Sequence, residues 1–322
     1  MSSVSPLAGR TGTPGPTRPA EPSGRSGPGS AAPAAGPARR LAAWLHRHPS
    51  ARLSALLSAP LLWLGVAYLG SLAVLFVSAF WTVNSFTGDV VRQPTLDNFQ
   101  TIVTDAVYRT VTLRSLGVAI AVTLIDAAIA LPMAFFMAKV AAPRWRHWLI
   151  VAILTPLWAS YLVKAYAWRV LLAGGGPVDW LLGGNGRGPG YGLTATVIVL
   201  AYLWLPYMIL PIYAGLDRLP DSLLEASADL GARAGRTFRS VVLPTVVPAT
   251  VAGSIFTFSL SLGDYIAVQI VGGKTQLIGN LVYANIGAAN NLPFSAALAT
   301  VPVLIMVIYL VAVRRSGALE QL

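Results

Sequence analysis

The sequence contains no cysteine. Disulfide bridges and thiolate-held metal centres are thereby excluded. Histidine is nearly absent as well. The three present, His46, His48 and His147, all flank apolar runs, and a solvated interfacial position accounts for the His46–His48 pair better than a metal site. No HExxH, GxSxG or paired-histidine pattern occurs, so no catalytic residue and no metal ligand is assigned, and an intramembrane enzyme is set aside. Charge is also scarce: 11% of the 322 residues are charged, whereas soluble domains run near a quarter. With 55% hydrophobic residues and a mean hydropathy of +0.64, the chain reads as an integral membrane protein. The scarcer sign is negative, with 12 acidic against 23 basic residues and a net charge of +11. Such a balance fits nucleic acid in a soluble protein. Here the basic residues sit mostly between apolar runs, so the surface they meet is membrane lipid and no nucleic acid partner is expected.

Residues 1–50 are rich in Pro, Gly, Ala, Ser and Arg and show no apolar periodicity. They read as a disordered tail, because little in them offsets the entropy of ordering. The tail is too long, and the apolar run after it too long, for a secretory signal peptide. Residues 51–322 form the transmembrane domain. Six apolar runs lie at about 53–80, 115–138, 148–173, 193–214, 246–271 and 294–313. Each reaches the roughly 20 residues that a bilayer crossing needs. Pro132, Pro156, Pro206, Pro211 and Pro302 fall inside these runs, and bundled membrane helices accommodate such kinks.

Orientation follows from Lys and Arg. Segments up to 52, 139–146, 215–247 and 314–315 hold 16 of the 23 basic residues. That side is cytoplasmic by the positive-inside rule, together with both termini. The outer loops are then 81–114, 174–192 and 272–293. The first carries an amphipathic stretch at 102–108 expected along the membrane surface. The second is too glycine-rich for regular structure. Gly273-Lys274-Thr275 imitates the end of a phosphate-binding loop, but Val268 stands where the pattern needs its first glycine. No nucleotide site is expected on this chain.

Asp126, Lys164 and Asp264 lie inside apolar runs. A charge at membrane depth costs roughly 2.5–3.5 kcal/mol, so each needs a partner or a wet cavity. At about 1.5 Å per residue from the cytoplasmic ends, Lys164 and Asp264 lie about 25 and 24 Å deep and Asp126 about 18 Å. Lys164 and Asp264 therefore share a level. They are read either as an ion pair between the third and fifth helices or as a border of the substrate path. Asp126 is read as facing a partner subunit or the path. Tyr265 follows Asp264 directly, and a carboxylate beside an aromatic suits an ammonium group. Trp158, Tyr161, Tyr166 and Trp168 surround Lys164 in the same run, as a binding cage or as interfacial belt residues.

The longest polar stretch between two apolar runs is 219–244. Ser222 and Glu225 stand in capping-box register. Ala226 and Ser227 are small enough for another surface to approach the backbone. Gly231 suits a left-handed helix end. Arg233, Arg236 and Arg239 recur every third residue in what reads as a second short helix, which Leu243-Pro244 is expected to stop.

Glu225-Ala226-Ser227, three residues, Gly231, nine residues, then Val241-Val242-Leu243-Pro244 resembles the EAA loop of bacterial ABC importer permeases, with Ser227 and Val241 as conservative departures. The resemblance implies an all-α membrane protein with six transmembrane helices in the ABC importer type I permease fold and a cytoplasmic coupling-helix (EAA) loop at 215–247. It implies that Glu225, Ala226, Ser227, Gly231, Leu243 and Pro244 serve ATPase coupling, and that ATP and Mg bind a partner ATPase. The expected partners are a second permease subunit in a heterodimer, two cytoplasmic ATPase subunits and an extracellular or periplasmic solute-binding protein, at the bacterial inner or plasma membrane. The stretches 95–99 (TLDNF), 130–139 (ALPMAFFMAK), 156–172 (PLWASYLVKAYAWRVLL) and 261–273 (SLGDYIAVQIVGG) also resemble the spermidine/putrescine branch. The intramembrane charges and aromatics Asp264, Tyr265, Lys164, Trp158 and Asp126 are the candidates for the substrate path. Import of another small solute or ion remains an alternative, and so does an ion-coupled secondary transporter, which explains the buried charges but not the EAA spacing.

Overall fold

A computed structural model of the chain describes residues 49–84 and 87–315. The tail at 1–48 lies outside the described residues. Contacts divide the chain after Trp63. The first unit contributes α1 (Pro49–Trp63), which contains Pro60. The second begins with a wide π turn at Leu64–Leu69 and continues into α2 (Gly70–Ser78).

The remaining elements are a two-stranded hairpin of β1 (Thr82–Val83) and β2 (Val90–Val91), then α3 (Asp97–Thr104), α4 (Ala106–Phe135), α5 (Pro143–Trp158), α6 (Tyr161–Leu172) and α7 (Pro177–Leu181). They are followed by α8 (Leu193–Asp217), α9 (Asp221–Asp229), α10 (Ala234–Thr237), α11 (Leu243–Gly263), α12 (Ile266–Val271), α13 (Ile278–Gly287) and α14 (Leu292–Arg315). Among the described residues, five helices are long and apolar enough to cross a membrane: Leu56–Ser78, Ala106–Val140, Leu193–Asp217, Ala234–Gly263 and Leu292–Arg315. A sixth crossing is available if α5 and α6, bent by 95° at a short break, act together.

The run at 148–173 is therefore not one straight helix. Ala159 and Ser160 leave the helical region for extended backbone, shortly after Pro156. The run at 246–271 is likewise broken, at Asp264. The outer stretches hold more helix than their composition suggests. The glycine-rich 174–192 contains α7, because Asp179 turns inward and its carboxylate accepts N–H groups of Gly175, Gly186 and Gly188 at 2.8–3.3 Å. The surface helix expected at 102–108 ends instead at Thr104. Asp105 caps a new helix by accepting the Val107 N–H at 2.8 Å. Asn98 of TLDNF donates to the carbonyls of Ala79 and Trp81, closing the end of α2.

α8 is the centre of the bundle, packed between α4 and α11. Its buried face runs from Ala195 and Val199 through Leu203 and Met208 to Ile212 and Leu216. Lipid tails are as apolar as leucine, so membrane helices gain most from close backbone approach at small residues. Gly253 supplies it here: a Cβ at that position would stand 2.8 Å from Met208 Sδ and 3.1 Å from Met208 Cα. Gly253→Val is expected to push α8 and α11 apart and to lower stability by about 1–3 kcal/mol, as overpacking does. Thermal unfolding of the detergent-purified protein checks this. An unchanged midpoint would show that the two helices separate freely.

Candidate functional site

Two regions of the chain gather its chemistry, one at each end of the bundle. The first lies at the basic end. Helix α9 begins at Asp221 with Pro220 as its N-cap, and no side chain caps it. The capping box expected from Ser222 and Glu225 is not formed, because the helix starts two residues too early for that register. A clasp from the neighbouring helices holds the entrance instead. Lys139 Nζ donates to the Leu219 carbonyl at 2.5 Å and to Asp221 Oδ1 at 2.7 Å. Arg146 donates to Asp217 at 3.1 Å and to the Ala138 carbonyl at 2.6 Å. Sequence reading counted these two cations for orientation only; their roles as clasp residues appear once 139–146 and 217–221 meet.

Glu225 and Ala226 are exposed on α9. Ser227 is half-buried and shares a 2.8 Å hydrogen bond with Thr237 of α10. Gly231 takes φ +74, with its N–H donated to the Ala228 carbonyl, so the two helices fold back through a left-handed turn. Arg233, Arg236 and Arg239 are all exposed, as is Leu230 at 87%. Leu243 and Pro244 do not stop a helix. Helix runs from Ala234 to Gly263, passing a π turn at Phe238–Val242 into α11 with Pro244 in its first turn. The wide turn relieves the clash that proline makes with the carbonyl four residues back.

The Lys139 ammonium, by its hydrogen bond and its charge, holds the Asp221 carboxyl below its usual range. A carboxylate depressed on folding stabilises above its unfolded pKa, about 3.9, and that contribution is lost as pH falls through the lower folded value. Hydrogen exchange in 221–229 is therefore expected to stay slow from neutral pH down to about 4 and to quicken below it. Asp221→Asn is expected to remove that pH step. A step that persists in the variant would assign it to another group.

The second region lies at the opposite end, where the two helix breaks face each other. Tyr161 is the first residue of α6 and Asp264 sits between α11 and α12. The Tyr161 hydroxyl donates to Asp264 Oδ2, and Asp264 Oδ1 accepts the Ala267 N–H at 3.0 Å, which holds the start of α12. The carboxylate is 8% exposed. A cavity of about 310 Å³ opens beside it, lined by Tyr161, Trp204, Gly263, Asp264 and Tyr265 among others. Tyr265 stacks on Tyr283 of α13 with centroids 4.9 Å apart, and its carbonyl accepts from Asn280 at 3.0 Å. Non-helical backbone at membrane depth is tolerated where it is buried in protein or lines a cavity; the break at Asp264 meets that condition, while Ala159 and Ser160 are exposed and only the next residue, Tyr161, reaches the cavity wall. Apolar clefts of about 370 and 620 Å³ open elsewhere without a charged residue in their walls, so the smaller, carboxylate-bearing cavity is the candidate site.

The other sequence candidates are separated from it. Lys164 and Asp264 are not an ion pair: among the described residues the ion pairs are Lys139–Asp221 and Arg146–Asp217, and Asp264 is already engaged by Tyr161 and Ala267. Lys164 is half-buried on α6. Trp158 ends α5, before the 95° bend, and is 92% exposed. Trp168 packs on Tyr202 and Tyr166 is exposed, so the four aromatics of the run do not form one cage. Asp126 does not face a partner subunit. It is 0% exposed on α4 and neither of its oxygens has a hydrogen-bond partner among the described residues. Trp204, Asn280 and Tyr283 were missed in the sequence. Asn280 alone left a signal, as an amide in an apolar stretch.

Comparison with known proteins locates this architecture. Residues 44–316 match the family described as binding-protein-dependent transport system inner membrane component. The chain is 43% identical over 299 residues to the inner membrane ABC transporter permease protein YdcU of Escherichia coli K12, covering 88% of this chain and 95% of that protein. It is 32% identical to the spermidine/putrescine transport system permease protein PotB of Haemophilus influenzae, over 63% of this chain and 72% of the relative. For the Escherichia coli K12 PotB the identity is 30%, with 70% and 83% covered. Among solved structures, the fold is similar to a chain of a bacterial ABC transporter involved in the import of the acidic polysaccharide alginate, at TM-score 0.60 and 16% identity, covering 86% of this chain and 99% of that one. It is also similar to a chain of the bacterial alginate ABC transporter in complex with alginate pentasaccharide-bound periplasmic protein, at TM-score 0.63 and 12% identity, covering 86% and 97%. At these identities the structural likeness speaks for fold alone.

Proposed function

The chain belongs to the family of binding-protein-dependent transport system inner membrane components, and from that premise we propose that it forms half of the translocation pathway of an ATP-driven importer for polyamines. It is a multi-pass membrane protein and a transport permease subunit. ATP is hydrolysed by two partner ATPase subunits on the side of the 215–247 segment, which is the cytoplasmic side together with both termini. A second, related permease completes the path. A solute-binding protein delivers the substrate at the end where α7 and α13 lie.

The coupling surface is α9, the Gly231 turn and α10. Glu225 and Ala226 present an exposed face to the ATPase, and Ser227 ties the two short helices together. Lys139 and Arg146 anchor the entrance of α9 to the ends of α4 and α8. The rest of the motif, Leu243 and Pro244, opens a helix that runs on to Gly263. Displacement of α9 by closing ATPases would thus reach Asp264 through one continuous helix.

The observation that carries the substrate class is the cavity at the two helix breaks. It joins a carboxylate to aromatic rings at the outer end of the pathway, which is the chemistry that attracts an alkylammonium by charge and by the ring face. The PotB relatives, described as spermidine/putrescine permeases, support the same class. The test is reconstitution in liposomes with the neighbouring permease, ATPase and binding protein, and labelled spermidine outside. ATP-dependent uptake is the expected result. Substrate-stimulated hydrolysis with other solutes but not with polyamines would overturn the substrate class. Uptake driven by an ion gradient without ATP would overturn the importer reading itself.

A further inference from the structure

The cavity beside Asp264 is not closed by a single ring. Tyr161 and Trp204 stand with centroids 6.1 Å apart, Trp204 and Tyr207 5.9 Å, and Tyr207 and Phe256 6.5 Å. The series starts at the residue hydrogen-bonded to Asp264 and descends along α8 and α11. Phe256 lies seven residues before the end of α11 at Gly263, about 10 Å deeper at 1.5 Å per residue. None of the four rings is buried in the core. Tyr161, Trp204 and Tyr207 are half-buried, and Phe256 is 54% exposed. Tyr161 and Trp204 pack against the edge of the core and stay half-buried there, whereas Leu203, Met208 and Ile209 on α8 are hidden within it.

We infer that Tyr161, Trp204, Tyr207 and Phe256 form an aromatic ladder along which a linear organic polycation leaves the Asp264 site and moves inward. This deepens the polyamine reading and rests on it. A ring face attracts an ammonium without holding it by a directed hydrogen bond. Successive faces therefore offer a cation a series of similar, shallow sites, and shallow multiple sites let a substrate leave as readily as it enters. The spacing of the rungs is close to that between ammonium groups across a four-carbon chain, so two charges of one molecule can occupy neighbouring rungs together. A further carboxylate along the ladder would trap the cation. Among the described residues Asp126, the other acid of the bundle interior, is fully buried and does not open onto it.

The experiment is labelled spermidine uptake by the reconstituted importer, with site-specific tryptophan analogues at Trp204 carrying one, two and three fluorines. Fluorine drains the ring's negative face while leaving its size nearly unchanged. A stepwise rise in the half-saturation concentration, reaching about tenfold at full fluorination, is expected. Trp204→Phe should lie between wild type and Trp204→Leu, and Tyr207→Leu and Phe256→Leu should each raise the half-saturation concentration too. A flat response to fluorination, with wild-type uptake intact, would overturn the ladder and leave the importer reading standing. Wild-type protein that imports another solute but no polyamine would withdraw the polyamine reading and the ladder with it, and leave the importer reading standing. If the leucine variants fail to co-purify with the second permease and fluorination has no effect, the rings are a subunit contact and the inference is wrong.

Discussion

Replacing Gly231 with valine is expected to leave ATP hydrolysis running while uptake falls about tenfold or more. The reason is conformational. Gly231 sits at φ +74 with no atom within 4 Å of where a Cβ would stand. Valine meets no neighbour there, but a β-branched residue is a genuine outlier in the left-handed region. The cost is about 1–2 kcal/mol, and 1.4 kcal/mol is a tenfold change in population. The turn between α9 and α10 would open, and the hydrogen bond between Ser227 and Thr237 would be lost with it. Gly231→Asn separates geometry from identity, because asparagine visits the left-handed region. It should retain most uptake. Glu225→Ala, on the exposed face of α9, should uncouple hydrolysis from uptake without unfolding the turn. Paired measurements of ATPase rate and uptake in liposomes decide the matter. Full uptake by the valine variant would remove the coupling role from this loop.

Substituting Asp264 should have the largest effect at the other end. Asp264→Ala removes the acceptor for both the Tyr161 hydroxyl and the Ala267 N–H, so it loosens both helix breaks as well as deleting the charge. Uptake of polyamine is expected to fall by about 100-fold, in the range of a lost charged hydrogen bond. Asp264→Asn is the informative partner. Its amide oxygen can still accept one of these hydrogen bonds, so the fold should survive, as judged by thermal unfolding, while attraction for a cation is lost. Poor uptake by a well-folded Asn variant would support a charge that faces the substrate. Normal uptake would mean that Asp264 only pins α6 to α12.

Much of the architecture was legible in the residues. The six apolar runs are where helices form, because hydrocarbon admits few backbone alternatives and length alone sets a crossing. Gly231 was legible for a related reason: a glycine at the end of a short polar helix has one common use. The helix breaks were not. Pro156 and Gly263 mark weak points, yet Pro206 and Pro211 do the same inside α8, which runs unbroken from Leu193 to Asp217. Whether a proline kinks or breaks a membrane helix depends on what neighbouring helices offer the freed backbone. That information is not local.

The sequence by itself determined that this chain lives in a membrane, which segments are long and apolar enough to cross it and which polar segment stands out between them. Composition, run length and charge placement act one segment at a time, so they can be read one segment at a time. Only the tertiary structure decided that Tyr161, and not Lys164, meets Asp264. It alone buried Asp126, joined Lys139 to Asp221, and aligned Trp204, Tyr207 and Phe256 below the cavity. Those outcomes depend on the rotation and bend of helices up to about a hundred residues apart. A few tens of degrees about a helix axis exchanges one side chain for another on the same face, and packing at sites such as Gly253 against Met208 sets that angle.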